Sequence, residues 1–349
     1  MDIVFFPNSK IWDGNPFYTN LKAAVQSHDH NIIDGVGDHL DLKWIASNRY
    51  KRYVLHFHWI HYHYQLTGNP NFRKASVFLL KVLLSRFLGF KIVWTLHNLY
   101  PHDTPTSNLV LEKFIRKVFA RLCNRIIVMC DNARNILSDE FGVTKNIVVI
   151  PHGNYTFNHA LEDDREALRN KYQISNNSIV YICHGNIRKY KNTSKIIEAF
   201  KKISSENNQL HLIIAGKPES GLMLEQIEGL CCDSNITLLP RFIDDDTLFE
   251  LFTIADIAVF AFKKILNSGS VIEAMSAGLA IIAPASGCLP EILNESMGIV
   301  YSDYDDLDRS MLNILERDIK KLGLAAKQRA NTLDWKSIGM QTSNTYMSL

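Results

Sequence analysis

The sequence predicts an α/β protein built from two doubly wound, Rossmann-like domains that face each other across a cleft. Three observations carry this prediction. Short apolar runs of strand length alternate with amphipathic helical stretches along the chain. The alternation stops at a polar, charged segment, residues 155–177, and then begins afresh. Loops rich in Gly, Ser, Asn and His follow several of the strand-like runs, where open parallel sheets bind ligands. The length of 349 residues also suits two domains better than one. The expected division gives an N-terminal domain over 1–155 and a C-terminal domain over 156–329.

The N-terminal half begins with a strand over 3–6, a loop over 7–16 and a helix over 17–25. The next strand, 53–58, runs into His56-Phe-His-Trp-Ile-His-Tyr-His63. His56 and His58 share one strand face, as do His61 and His63 if the strand continues. Metal sites usually add a carboxylate or a thiolate, and none stands nearby, so zinc is disfavoured. One or two of these histidines, His58 first, are expected to line a cleft. Residues 72–88 form a helix in which Arg73, Lys74, Lys81 and Arg86 are set among a wide apolar face. Packing on the sheet is the plainer role; a peripheral contact with a membrane surface is the functional one. A strand over 91–96 ends in His97-Asn-Leu-Tyr-Pro-His102-Asp103, the pattern of a catalytic loop. A histidine there is either a general base or a holder of a sugar hydroxyl. A helix over 109–122, a strand over 125–129, a helix over 133–141 closed by Gly142 and a strand over 147–150 complete this half.

The second half repeats the alternation. Strands are expected at 179–183, 210–215, 236–239 and 257–262, with helices at 194–204, 223–231 and 245–253 between them. Next comes loop, helix, turn and strand over 265–284, continuing to Leu289-Pro290-Glu291. Asn267, Ser268, Gly269 and Ser270 carry turn chemistry, with Ser270 as the expected N-cap of a helix over 271–277. Gly278 suits the left-handed helix end, and 279–283 reads as a buried parallel strand. A Gly/Ser loop entering a helix leaves backbone N–H groups unpaired at the positive end of the dipole, which suits phosphate. A second loop, His184-Gly185-Asn186-Ile187-Arg188-Lys189-Tyr190-Lys191-Asn192, adds cations able to neutralise a diphosphate. Helices over 307–322 and within 325–346 close the chain.

Composition narrows the function. Hydrophobic residues at 46% and charged residues at 21% are ordinary for a soluble globular protein. A net charge of +2 gives no argument for nucleic acid. No apolar run spans a bilayer, and Met-Asp-Ile-Val-Phe-Phe-Pro has no signal-peptide pattern. The six cysteines form no CxxC pair and read as reduced core thiols of a cytoplasmic protein. The acidic runs Asp244–Asp246 and Asp305–Asp306 are expected in loops and caps rather than on a metal.

These motifs resemble the GT-B glycosyltransferases, most nearly the family 4 type and its bacterial exopolysaccharide relatives. The loop Gly185 to Asn192 is similar to the one in which an Arg and a Lys grip the nucleotide diphosphate. Lys191 matches the family lysine by its spacing from Gly185, whereas the usual arginine position is Asn186 and Arg188 stands in for it. Ser270 to Gly278 resembles the helix whose glutamate binds the ribose, a role that falls to Glu273. The second family glutamate, separated from the first by seven residues in an E-x7-E arrangement, is replaced by Ile265. Asn15, Pro16 and Phe17 resemble the first-loop position that meets donor and acceptor, and His97 the histidine near the sugar. Pro151-His152-Gly153 looks like the turn before the interdomain linker. The segment around Trp335 resembles the helix, about 330–349, that packs back on the first domain.

The resemblance implies transfer of a sugar from a UDP- or GDP-linked donor to a hydroxyl of a glycan or lipid-linked acceptor in bacterial surface polysaccharide synthesis. No metal and no cofactor beyond the donor are implied. His97 orients the sugar if configuration is retained; His97, His102 or Asp103 is the base if it is inverted. Two alternatives stand beside this reading: a catalytically inactive nucleotide-sugar-binding subunit and a sugar-nucleotide epimerase. A dehydrogenase is disfavoured, because no GxGxxG follows a strand. The expected location is the cytoplasm, peripheral to the inner face of the plasma membrane through the 72–88 helix.

Overall fold

The computed structural model describes residues 1–7, 15–34, 39–51, 53–66, 69–101, 104–157, 165–205, 207 and 209–349. His102 and Asp103, two of the expected catalytic residues, lie outside them. The chain forms two compact units, Met1–Gly153 with Leu333–Leu349, and Asn154–Thr332.

Unit 1 holds a parallel sheet of β1 (Asp2–Phe6), β2 (Asn31–Asp34), β3 (Val54–Phe57), β6 (Lys91–Thr95), β7 (Arg125–Val128) and β8 (Ile147–Val149). A separate hairpin pairs β4 (Gln65–Leu66) with β5 (Asn69–Pro70). The sheet order is β2-β1-β3-β6-β7-β8. β1, β3 and β6 are almost wholly buried, as strands covered on both faces must be. The helix Trp335–Met347 lies on the helix Pro16–Gln26. Gly339 permits this approach: a Cβ there would stand 2.6 Å from the carbonyl oxygen of Ala24. Two buried hydrogen bonds fasten the same helix, Tyr346 Oη to His56 Nδ1 at 2.6 Å and Ser343 Oγ to His30 Nε2 at 2.6 Å. Deleting 333–349 is therefore expected to lower the thermal midpoint of unit 1 by many degrees, read by hydrogen exchange across β1 and β3.

Unit 2 holds β9 (Ile179–His184), β10 (Leu210–Ala215), β11 (Ile236–Leu239), β12 (Ile257–Val259), β13 (Ala280–Pro284) and β14 (Gly298–Tyr301). All pairings are parallel and the order is β11-β10-β9-β12-β13-β14. Chain order reverses between β9 and β12, the point where doubly wound sheets open a ligand crevice.

Several expectations change. The histidine run does not continue as a strand: Ile60–His63 is a 3-10 turn, so His61 and His63 leave the sheet. The helix 307–322 is broken into Leu307–Asn313 and Ile319–Asn331, because Asp318 caps the second piece by accepting from Lys321 N. β2 and β14 were not expected from the sequence; each is a four-residue edge strand, too short for a periodic signal. Four cysteines, Cys123, Cys183, Cys231 and Cys232, are free thiols, and Cys232 is exposed rather than in the core. The reading of all six as reduced does not extend to Cys130 and Cys288.

Candidate active site

In unit 2 the ligand-type groups collect at the carboxyl end of β9, beside the reversal in strand order. β9 ends at His184, and Gly185 follows with φ +84°. The chain then makes a single 3-10 turn, Lys189–Lys191, which swings Lys191 back over the strand end. Its Nζ donates to the carbonyl oxygen of His184 at 3.2 Å. A Cβ at Gly185 would stand 2.6 Å from that Nζ and 3.4 Å from Ser270 Oγ, so the glycine, the lysine and the 269–277 helix meet at one point. Lys191 is buried, and burial, with Arg188 adding like charge, pulls its ammonium below its ordinary value. A desolvated cation at the mouth of a loop is poised for an anionic partner.

The helix Gly269–Ala277 starts one turn-half earlier than expected. Ser268, not Ser270, is the N-cap, and its Oγ accepts from Val271 N at 3.4 Å. Gly269 and Ser270 therefore occupy the first turn, where amides have no acceptor within the helix. Gly278 ends the helix at φ +86°, as expected. Glu273 stands on this helix with its Oε2 3.1 Å from His184 Nε2, and its side chain is 20% exposed. Sequence reasoning did not single out His184. The two residues are 89 positions apart, and only the β9–helix packing joins them. Tyr155, whose backbone N donates to Ser276 Oγ at 3.1 Å, has its phenol pushed up by burial and by Glu273. Ile265 is 8% exposed, so the place of the second family glutamate is apolar and buried.

In unit 1, His97 follows β6. Its Nε2 lies 3.2 Å from His58 Nδ1, and its ring is stacked on Trp59 at 4.2 Å and 13°. Phe17 meets the ring edge-on at 4.8 Å. Burial, with His58 and His152 nearby, holds His97 well below the usual imidazole value. His58, expected to line a cleft, is buried with its Nδ1 against His97, and it borders a small pocket with Trp59, His97 and Arg116. Asn15 caps the helix Pro16–Gln26 by accepting from Phe17 N at 3.1 Å, with Pro16 in the first turn. Phe17 is buried, with its ring edge-on to those of His97 and Trp335. Among the described residues no group of three or more His, Cys, Asp or Glu is placed to hold a metal ion.

A buried ion pair that the sequence did not reveal supports the His97 loop. Glu112 accepts from Tyr64 Oη at 2.7 Å, Gln65 Nε2 at 2.9 Å and Arg116 Nε at 3.1 Å. Arg116 Nη1 donates onward to the carbonyl oxygen of Asn98 at 3.1 Å, next to His97. Glu112→Ala leaves a buried guanidinium uncompensated, and is expected to cost about 3–5 kcal/mol in urea unfolding. A loss under about 1 kcal/mol would show that water replaces the carboxylate.

Comparison with known proteins agrees with this geometry. The family described as Glycosyltransferase Family 4 matches residues 13–154, and the one described as Glycosyl transferases group 1 matches residues 164–332. The chain is a family-4-like glycosyltransferase of GT-B fold. This transferase is 24% identical over 300 residues to a GDP-mannose:glycolipid 4-beta-D-mannosyltransferase of Xanthomonas campestris pv. campestris, covering 84% of this chain and 79% of that one. It is 24% identical over 208 residues to a GDP-mannose-dependent monoacylated alpha-(1-6)-phosphatidylinositol monomannoside mannosyltransferase of Corynebacterium glutamicum, covering 55% and 53%. Its fold is similar to that of Anabaena Alr3699/HepE in complex with UDP and glucose, with a TM-score of 0.71, 16% identity and full coverage of both chains. The epimerase and inactive-subunit alternatives give way to a transferase of glycosyl groups.

Proposed function

We propose that the transferase moves a hexose from a nucleoside diphosphate sugar, UDP- or GDP-linked, to a hydroxyl of a glycan or lipid-linked acceptor in bacterial surface polysaccharide synthesis. The observation that carries this is the convergence of Gly185, Lys191, Ser270 and Glu273 at the end of β9. In the reaction the bond from the anomeric carbon to the β-phosphate oxygen breaks, a bond to the acceptor oxygen forms, and negative charge collects on the departing diphosphate. Lys191, Arg188 and the first-turn amides of Gly269 and Ser270 take up that charge. Side-chain cations and helix amides thus fill the place of a metal. Glu273, held by His184, accepts from the ribose hydroxyls. Asn267 and Ser268 border the same turn. His97 is the residue proposed to orient the transferred sugar: a neutral imidazole gives one donor and one acceptor, and its lowered pKa suits that role better than strong-base chemistry.

A thermal-shift series with UDP-, GDP- and dTDP-sugars tests the donor class, since the true donor raises the midpoint in a concentration-dependent way. Gly185→Ala tests the geometry. Its positive φ disfavours alanine, and the new Cβ meets the Lys191 ammonium. Donor nucleotide affinity is expected to fall about tenfold or more by calorimetry, while the strained φ lowers the stability of the unliganded protein by about 1 kcal/mol. Undiminished affinity would move the diphosphate elsewhere.

The relatives that act on a glycolipid and on a phosphatidylinositol mannoside favour a lipid-linked acceptor. So does the helix Phe72–Phe87, which buries Ala75, Phe78, Val82 and Ser85 but leaves Leu80 63% and Phe87 86% exposed. We read this face as a peripheral contact with the inner leaflet from the cytoplasm. No described helix is long and apolar enough to cross a membrane.

A further inference from the structure

Away from the strand ends of unit 2, a cavity of about 250 Å³ opens in unit 1 between His39–Leu40 and the helix Phe72–Phe87. Its walls carry His39, His63, Arg73, Lys74 and Lys81. Positions 73, 74, 77, 78 and 81 recur at three- and four-residue intervals, so one face of the helix supplies most of the wall. Among the described residues no carboxylate forms an ion pair with Arg73, Lys74 or Lys81. Lys81 uses one of its donors on the carbonyl oxygen of Leu40 at 2.8 Å and has two more. His63 is 7% exposed and stacks parallel on Phe78 at 4.8 Å, yet neither Nδ1 nor Nε2 has a hydrogen-bond partner. A buried imidazole N–H without an acceptor is costly. Among the described residues the wall supplies cations and no acceptor bearing negative charge.

The surroundings say what carries that charge. Val77 lines the cavity and is itself half-exposed. It begins an exposed apolar ridge on the same helix, continued by Leu80, Leu84 and Phe87. A socket for an anion beside a ridge for hydrocarbon fits one molecule with a phosphate at one end and acyl chains at the other. A soluble sugar phosphate would fill the socket and leave the ridge in water.

We propose that this cavity seats the phosphate of an anionic phospholipid while the neighbouring ridge enters the acyl layer. The proposal rests on the reading of the Phe72–Phe87 helix as membrane-facing, and adds to it a lipid class and a binding socket.

The test is co-sedimentation of the full chain with vesicles of phosphatidylcholine alone or mixed with phosphatidylglycerol. The unaltered protein is expected to bind the mixed vesicles more tightly. Arg73→Gln with Lys74→Gln should remove about tenfold or more of that gain, at about one kcal/mol of attraction per basic residue near an anionic surface. His63→Phe keeps the stacking, removes the donors and should reduce the gain as well. Lys117→Gln with Arg121→Gln, the same charge removed from the neighbouring helix Leu109–Leu122, should cost clearly less. Equal loss in the two double variants would mean diffuse attraction and overturn the socket. Equal binding to both vesicle types that is lost in Leu80→Ser with Leu84→Ser would keep the membrane-facing helix and overturn the phosphate. Absence of binding to either vesicle would overturn both. Inorganic phosphate shifting the His63 ring signals in NMR, with no phosphatidylglycerol gain, would assign the socket to free phosphate and overturn the lipid. Donor nucleotide affinity, measured on the same variants, is expected to stay unchanged and separates these outcomes from any failure of the transferase reading.

Discussion

Arg188→Ala combined with Lys191→Ala is expected to weaken donor nucleotide binding by roughly a hundredfold or more and to lower turnover at least as much. Hydrogen bonds to a charged group are each worth about 1.5–3 kcal/mol, and the diphosphate would lose two cations at once. The same change should leave the unliganded fold intact. Lys191 is buried, its ammonium pays for desolvation, and its Nζ has one hydrogen bond, to a backbone carbonyl. Removing it therefore costs the free protein little. Lys191→Met, which keeps most of the volume, separates charge from packing. The measurements are calorimetric titration with UDP and GDP and an unfolding midpoint without ligand. Unchanged affinity for both nucleotides would sink the diphosphate assignment.

The second large effect is on stability in acid. His56 and His63 are held down to about 3, mainly by burial, and His58 and His97 are also well below the usual imidazole value. His56 is locked as a neutral ring between Tyr346 Oη at 2.6 Å and Thr95 Oγ1 at 2.7 Å. In the unfolded chain each of these groups takes a proton near pH 6.5. Their folded values are depressed, so the unfolded state binds more protons below that pH. The stability they allow is fully present above about pH 6.5 and drains away as pH falls toward about 3. Each group contributes a slope of about 1.4 kcal/mol per pH unit, which gives a ceiling of about 5 kcal/mol per unit for the four. Unit 2 has His211 lowered to about 4 by burial and by Arg169. Hydrogen exchange at about pH 7.5 and about pH 5 should therefore show β3 and β6 losing protection faster than β10. His63→Phe should flatten the difference. Equal loss in both units would mean that carboxylates, not these histidines, set the acid limit.

The residues with the largest predicted effects were legible in the sequence to different degrees, for physical reasons. Gly185 and Lys191 are six positions apart in one loop, so their partnership is local and their spacing reports it. Glu273 lies on a helix whose start and Gly278 stop are short-range signals. Even there, Ser268 rather than Ser270 is the cap, a choice that two serines one Gly apart do not encode. That His58 stands against His97 was not legible, because alternation along a strand says which face a residue takes and not what covers that face. Glu112 and Arg116 stand at i,i+4 on one helix, a spacing that does not tell a surface pair from a buried one. The partners that meet Glu112 in the interior, Tyr64 and Gln65, stand 48 and 47 residues away.

Alone, then, the sequence determined the alternation of strands and helices, the two-part layout, the loop that carries Gly185 and Lys191 and the helix that carries Glu273, since each is written in contacts a few residues apart. Only the tertiary structure decided that His184 holds Glu273 and that Lys191 folds back over Gly185. It alone decided that His56, His58 and His63 of unit 1 are buried as neutral rings and that a basic cavity opens beside an exposed apolar ridge. Those outcomes depend on which distant segments pack against a residue, and burial, desolvation and unpaired donors exist only once that packing is made.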